Sequence, residues 1–117
     1  MRTTVLMVDD HAGFRIRARV FLEAEGYQVV GEASSGSDAI VAAERLRPDL
    51  AIIDIGLPDL DGFAVASRLR AAGLARWIVL VSGRDREDYG ARLDTSDADA
   101  FIPKADLSAQ RLAGVLR

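Results

Sequence analysis

A chain of 117 residues fits a single compact domain, and with half of them apolar it can bury a core of its own. The formal charge of −3 gives no footing for nucleic-acid binding by this chain alone, and the absence of cysteine excludes disulfides, thiolate metal sites and cysteine nucleophiles. No apolar run approaches the roughly 18 residues of a membrane span and the N-terminus lacks a signal-peptide pattern, so a soluble cytoplasmic protein without a membrane partner is expected.

Residues 3–8 read as a short β-branched and apolar strand that ends in two carboxylates, Asp9 and Asp10. The spacing of Phe14, Ala18, Phe21 and Leu22 predicts a core-facing helix over 13–25, stopped by Gly26. Its arginines Arg15, Arg17 and Arg19 read as a solvated face, with Arg19 able to pair with Glu23 one turn on. His11, the only histidine, reads as a surface or capping residue. Residues 28–33 form the second strand. The turn 34–38 caps a helix that carries Ile40, Ala43 and Leu46 inward and ends at Arg47-Pro48.

Leu50, Ala51, Ile52 and Ile53 run without alternation, as in a strand buried on both faces, and Asp54 closes the run. Pro58, Asp59, Asp61 and Gly62 form a turn into a third helix over 63–72, stopped by Gly73. A fourth strand spans 77–81, with Ser82 and Gly83 at its end. Residues 84–98 are expected to carry a poor helix, weakened by Gly90, Thr95 and several aspartates. A short fifth strand over 100–102 leads to Pro103-Lys104, and Ser108 caps a last helix to about residue 116.

Five strands alternating with five helices predict an α/β, doubly wound parallel sheet, with the flavodoxin-like order 2-1-3-4-5. In that order Asp9 and Asp10, Asp54, Ser82 and Lys104 all leave the carboxyl edge of neighbouring strands about 4.8 Å apart. Crowded carboxylates repel, and a hard divalent ion such as magnesium relieves that repulsion. A carboxylate can also act as a nucleophile and become an acyl phosphate, stabilised by positive charge and donors around the phosphoryl oxygens. Asp54, on the central strand, is the expected acceptor, with Lys104 and the Ser82 hydroxyl or a backbone N–H on the transferred group. An FMN-binding flavodoxin, an aspartyl phosphatase and an unphosphorylated interaction module remain as alternatives. Asp9-Asp10 would repel a flavin phosphate, and neither a cap domain nor a general acid near Asp54 is evident.

Val8-Asp9-Asp10, then Asp54-Ile55-Gly56-Leu57-Pro58-Asp59-Leu60-Asp61-Gly62, then Val81-Ser82-Gly83 and Phe101-Ile102-Pro103-Lys104 stand in one order at characteristic intervals. Together they resemble the receiver domain of two-component response regulators, over essentially the whole chain, 1–117. The resemblance implies that Asp54 accepts a phosphoryl group from a sensor histidine kinase. It implies that Asp10, Asp54 and the main-chain carbonyl of Gly56 bind Mg2+, with Mn2+ possible, and that Asp9 assists. Ser82 would be the switch hydroxyl, Phe101 the switch aromatic and Lys104 the phosphate-pairing lysine. Asp-Asp-His at 9–11 and Val-Val-Gly-Glu-Ala at 29–33 look most like regulators of the LuxR/NarL type. Their output is transcription through a DNA-binding domain, for which this chain shows no segment. Such a domain is no enzyme beyond assisting its own phosphorylation and dephosphorylation, and a homodimer through the last helices and strands is a possible assembly. Two features depart from the pattern: Lys104 is preceded rather than followed by proline, and Asp97-Ala98-Asp99 stands where relatives often have Gly-Ala.

Overall fold

The computed structural model describes residues 2–116. Five strands form one fully parallel sheet: β1 (Thr4–Val8), β2 (Gln28–Ala33), β3 (Leu50–Asp54), β4 (Trp77–Ser82) and β5 (Ala100–Pro103), in the order β2-β1-β3-β4-β5. The crossovers are α1 (Ala12–Ala24), α2 (Gly36–Leu46), α3 (Gly62–Ala71) and α4 (Ala91–Asp94), and α5 (Ala109–Val115) follows the last strand. This is the flavodoxin-like arrangement expected from the alternation of elements.

The unbroken apolar strands are explained by cover on both faces. Leu6, Val8, Ala51, Ile53, Ile78 and Leu80 pack with Ala39 and Ala43 of α2, Val65 and Leu69 of α3 and Leu93 of α4. Their alternate neighbours Val5, Met7, Leu50, Ile52, Val79 and Val81 pack with Phe14, Ala18 and Leu22 of α1 and Leu112 of α5. Successive side chains point to opposite faces of a strand, so a sheet between two helical layers needs apolar residues at every position.

Helix ends follow local chemistry. Ser35 accepts the Asp38 N–H at 3.1 Å, Asp61 the Ala64 N–H at 2.9 Å, and Ser108 the Arg111 N–H at 3.1 Å, which satisfies donors that each first turn leaves free. Gly26 and Gly73 both end helices with positive φ. Arg47 ends α2 as expected, in the left-handed region with φ 46°, its N–H still on the Ala43 carbonyl at 2.8 Å.

Residues 84–98 carry the poor helix expected there, cut into short pieces. They form a 3-10 turn (Arg86–Asp88), a break at Gly90 with φ 55°, and the single turn of α4. The polar side chains bond locally instead: Asp88 accepts the Asp85 N–H at 3.0 Å, and the Thr95 and Ser96 hydroxyls donate back to the Ala91 and Leu93 carbonyls. Asp99 is held by Arg70 at 2.7 Å and by the Ile78 N–H at 2.8 Å, at the amino edge of the sheet and away from Asp54.

Gly62 marks where α3 starts against the end of β3. A Cβ there would stand 2.6 Å from the Asp54 carbonyl oxygen and 2.7 Å from the Ile55 Cα, both backbone atoms that cannot rotate aside. Gly62→Ala is therefore expected to lose at least about 1–3 kcal/mol of stability, the usual cost of overpacking. Gly83→Ala, with open space around its Cβ position, is the control and should stay near wild type. Urea unfolding of the two variants checks this, and equal midpoints would disprove the close approach.

Candidate functional site

Register brings the strand ends together. Val8 pairs with Ile53, Asp54 with Val81, and Ser82 with Pro103, so Asp9, Asp54, Ser82 and Lys104 emerge along one edge. Asp9 is fully buried and Asp54 nearly so, while Asp10 lies exposed at the rim. Asp9, Asp10, His11 and Asp54 each offer a ligand atom, all within 4.8 Å of one another.

Lys104 is the counter-charge. Its Nζ lies 2.7 Å from Asp9 Oδ2 and 3.7 Å from Asp54 Oδ2, and 4.7 Å from the centroid of the Phe14 ring, where the face of an aromatic attracts a cation. The chain folds at Lys104 into a 3-10 turn (Lys104–Asp106). The other Asp9 oxygen, Oδ1, accepts the His11 N–H at 2.8 Å. The Arg15 guanidinium donates to the Asp9 main-chain carbonyl and, at 2.9 Å, to Glu32 on β2. Arg15 is thus a tether between α1, β1 and β2 and no part of a merely solvated face. Arg19 reaches Glu32 at 2.7 Å and the expected Glu23 at 3.4 Å. The Arg19 hydrogen bond, against some burial and with help from Arg15, holds the Glu32 carboxyl below its ordinary range.

Burial pushes the Asp54 carboxyl above the usual carboxylate range. The Asp9 charge adds to the rise, Lys104 and the Gly56 N–H (3.3 Å from Asp54 Oδ1) pull against it, and Asp10 adds a smaller push. The charged form is therefore held at a disadvantage, and a cation at this rim would relieve it. The donor set fits a hard divalent ion: three carboxylates crowd the rim, and Lys104, 2.7 Å from the buried Asp9 Oδ2, supplies one positive charge among them.

Ser82, also buried, ends β4. Its Oγ accepts the Arg84 N–H at 3.0 Å and shares a short hydrogen bond with the Tyr89 hydroxyl. Phe101 is buried within the core, and its ring meets Tyr89 edge-on with centroids 5.8 Å apart.

The profile of the response regulator receiver domain family matches residues 5–116. The chain belongs to that family. This receiver domain is 36% identical over 104 residues to the transcription regulator BvgA of Bordetella pertussis, covering 89% of this chain and 50% of BvgA. It is 36% identical over 100 residues to the transcriptional regulatory protein PdtaR of Mycobacterium tuberculosis, covering 86% of this chain and 48% of PdtaR. The chain therefore spans about half the length of the curated relatives it matches. Among solved structures, the signal receiver domain of the NarL response regulator of Mycobacterium tuberculosis superposes with a TM-score of 0.84 at 26% identity, covering 98% of this chain and 97% of that one.

Three residues of this receiver domain's edge escaped the sequence reading as members of the site. Phe14 reads in the sequence as a core residue alone, yet its ring also lies under Lys104. His11 is the exposed residue that precedes α1, as expected, and its Nδ1 also stands 3.1 Å from both Asp9 and Asp10. Tyr89 carried no role at all. Nothing in spacing marks these contacts, because each joins a side chain to an element whose position only the fold supplies. Asp59, taken as a turn residue, does more: it accepts the Gly36 N–H at 2.7 Å, the Ser37 N–H at 3.0 Å and the Ser37 hydroxyl, and so ties the β3–α3 loop to the start of α2. The Ser37 hydroxyl and those two N–H groups hold its carboxyl far below the ordinary range.

Proposed function

We propose that this receiver domain is a phosphorylation-dependent signalling switch in which Asp54 accepts a phosphoryl group from a sensor histidine kinase. The observation that carries the reading is the convergence of Asp9, Asp10 and Asp54 within 4.8 Å, with Lys104 3.7 Å from Asp54. An Asp54 carboxylate oxygen attacks phosphorus, the bond from phosphorus to the donor breaks, and a mixed anhydride remains on Asp54. Lys104 offsets charge on the transferred oxygens, and Ser82 donates to one of them as the group is transferred.

Asp10, Asp54 and the main-chain carbonyl of Gly56 would hold Mg2+, or Mn2+ in its place, with Asp9 close by. When bound, such an ion neutralises the crowded carboxylates and the incoming phosphoryl oxygens. The switched surface is that around β4 and β5, where Ser82 and Phe101 lie. The output is transcription, through a DNA-binding segment outside this chain, as the named regulators among its relatives suggest. A cytoplasmic location goes with that partnership, and 1–117 serves as the phosphoacceptor unit.

Intact mass spectrometry after incubation with acetyl phosphate tests this. One phosphoryl adduct is expected with Mg2+, none with a chelator in its place, and treatment with hydroxylamine should remove it as it does an acyl phosphate. No adduct, or one that forms equally well without divalent metal, would overturn the reading.

A further inference from the structure

A serine hydroxyl has one proton and two lone pairs. At Ser82 the Arg84 N–H takes one lone pair at 3.0 Å, and the Tyr89 hydroxyl shares a short hydrogen bond with the same oxygen. Ser82 is only 4% exposed, so water does not readily stand in for either partner. The Tyr89 ring is itself gripped from two sides. It meets Phe63 of α3 edge-on at 5.9 Å and Phe101 of β5 at 5.8 Å. Phe63 in turn lies 4.3 Å from the Arg92 guanidinium, which reaches Asp61, the cap of α3, at 2.8 Å. One phenol thus joins the hydroxyl that ends β4 to the aromatic side chains of α3 and β5.

We propose that Tyr89 is a positioning residue that latches Ser82 in the resting domain. Phosphorylation of Asp54 draws the Ser82 hydroxyl to a phosphoryl oxygen, frees the Tyr89 phenol, and lets Phe63 and Phe101 repack around it. The inference rests on Asp54 being the phosphoryl acceptor. It follows from the relative strength of the two bonds: Ser82 to Tyr89 joins two neutral groups, whereas Ser82 to a phosphoryl oxygen is charge-assisted and about twice as strong. The exchange therefore runs toward the phosphorylated state once the anion is present. In its absence the phenol keeps the hydroxyl occupied, and every phosphorylation has to break that bond.

Tyr89→Phe keeps both ring contacts and removes only the phenolic oxygen. Its phosphorylation by acetyl phosphate with Mg2+ should be about fivefold faster than wild type, the size set by one neutral hydrogen bond. In a Ser82→Ala background the same substitution should change nothing further, a non-additivity that a merely structural role for Tyr89 would not produce. The chain has two tyrosines, so 13C-tyrosine labelling with Tyr27→Phe as the assignment control gives a direct signal for Tyr89. That signal should move in Ser82→Ala and move again, in the same sense, when wild type is phosphorylated. Equal or slower phosphorylation of Tyr89→Phe, or a Tyr89 signal indifferent to an adduct already seen by mass, overturns the latch while Asp54 stands as acceptor. Failure of wild type to take any adduct overturns both.

Discussion

Asp54→Asn should take up no phosphoryl group and, at neutral pH, should unfold at higher denaturant than wild type. The loss of chemistry follows from the amide, which keeps the shape and can still accept the Gly56 N–H now on Asp54 Oδ1 but has no nucleophilic oxygen. The gain in stability follows from electrostatics. Burial and then Asp9 raise the Asp54 carboxyl above its ordinary value, and Lys104 only partly offsets them. A group whose folded pKa lies above its unfolded one favours folding fully below the unfolded value, and that contribution is lost as pH rises through the folded value. Wild type at neutral pH therefore carries a charge the fold disfavours, and asparagine removes it. The expected gain is on the order of 1 kcal/mol, as for other relieved charge conflicts, and it should shrink toward zero in acid, where wild-type Asp54 is protonated. Urea unfolding at neutral and acid pH measures it. Magnesium should raise the melting temperature of wild type far more than that of the variant, since a ligand stabilises only the state that binds it. An asparagine variant less stable than wild type at neutral pH would mean that attraction to Lys104 outweighs burial and the repulsion from Asp9.

The parts of this molecule legible in its sequence are those that depend on runs and on chain order. Leu50 to Ile53 announce a strand buried on both faces because no polar residue interrupts them, and Asp54 marks its end because a carboxylate does not continue such a run. The strand order puts four strand ends on one edge, and so chain order alone brings Asp9, Asp54, Ser82 and Lys104 together. The side-chain pairings on that edge were not legible. Lys104 lies closer to Asp9 than to Asp54, Tyr89 reaches Ser82 across a 3-10 turn, and Asp59 caps a helix more than twenty residues before it. Each depends on distances between elements, which periodicity does not encode. In residues 84–98 the weakness of the helix is legible, since Gly90, Thr95 and the aspartates announce it; the local bonds of Asp88, Thr95 and Ser96 that cut it into short turns are not.

The second large effect is expected at Lys104, where one ammonium serves two carboxylates. Lys104→Met keeps most of the aliphatic stem over Phe14 and removes the charge. Asp9, with no exposed surface, then loses the ammonium 2.7 Å from its Oδ2, and breaking a buried pair from one side costs about 3–5 kcal/mol. Lys104 is itself 18% exposed, which lets water reach the gap and places the expected loss toward the lower end of that range. Phosphorylation by acetyl phosphate should fall by about 10²–10³-fold, the usual effect of removing one preorganised donor from a site where charge develops. Magnesium separates the two consequences. A divalent ion among Asp9, Asp10 and Asp54 supplies positive charge that the folded state lacks, so it should restore much of the lost stability. It does not restore the donor on the transferred group, so the rate should stay low at saturating metal. Lys104→Arg should hold stability near wild type and recover only part of the rate, because a planar guanidinium does not reproduce the reach of an ammonium. A Lys104→Met variant that phosphorylates within about twofold of wild type would show that the ammonium balances Asp9 and takes no part in the transfer, since a rate that near parity leaves no room for a lost donor.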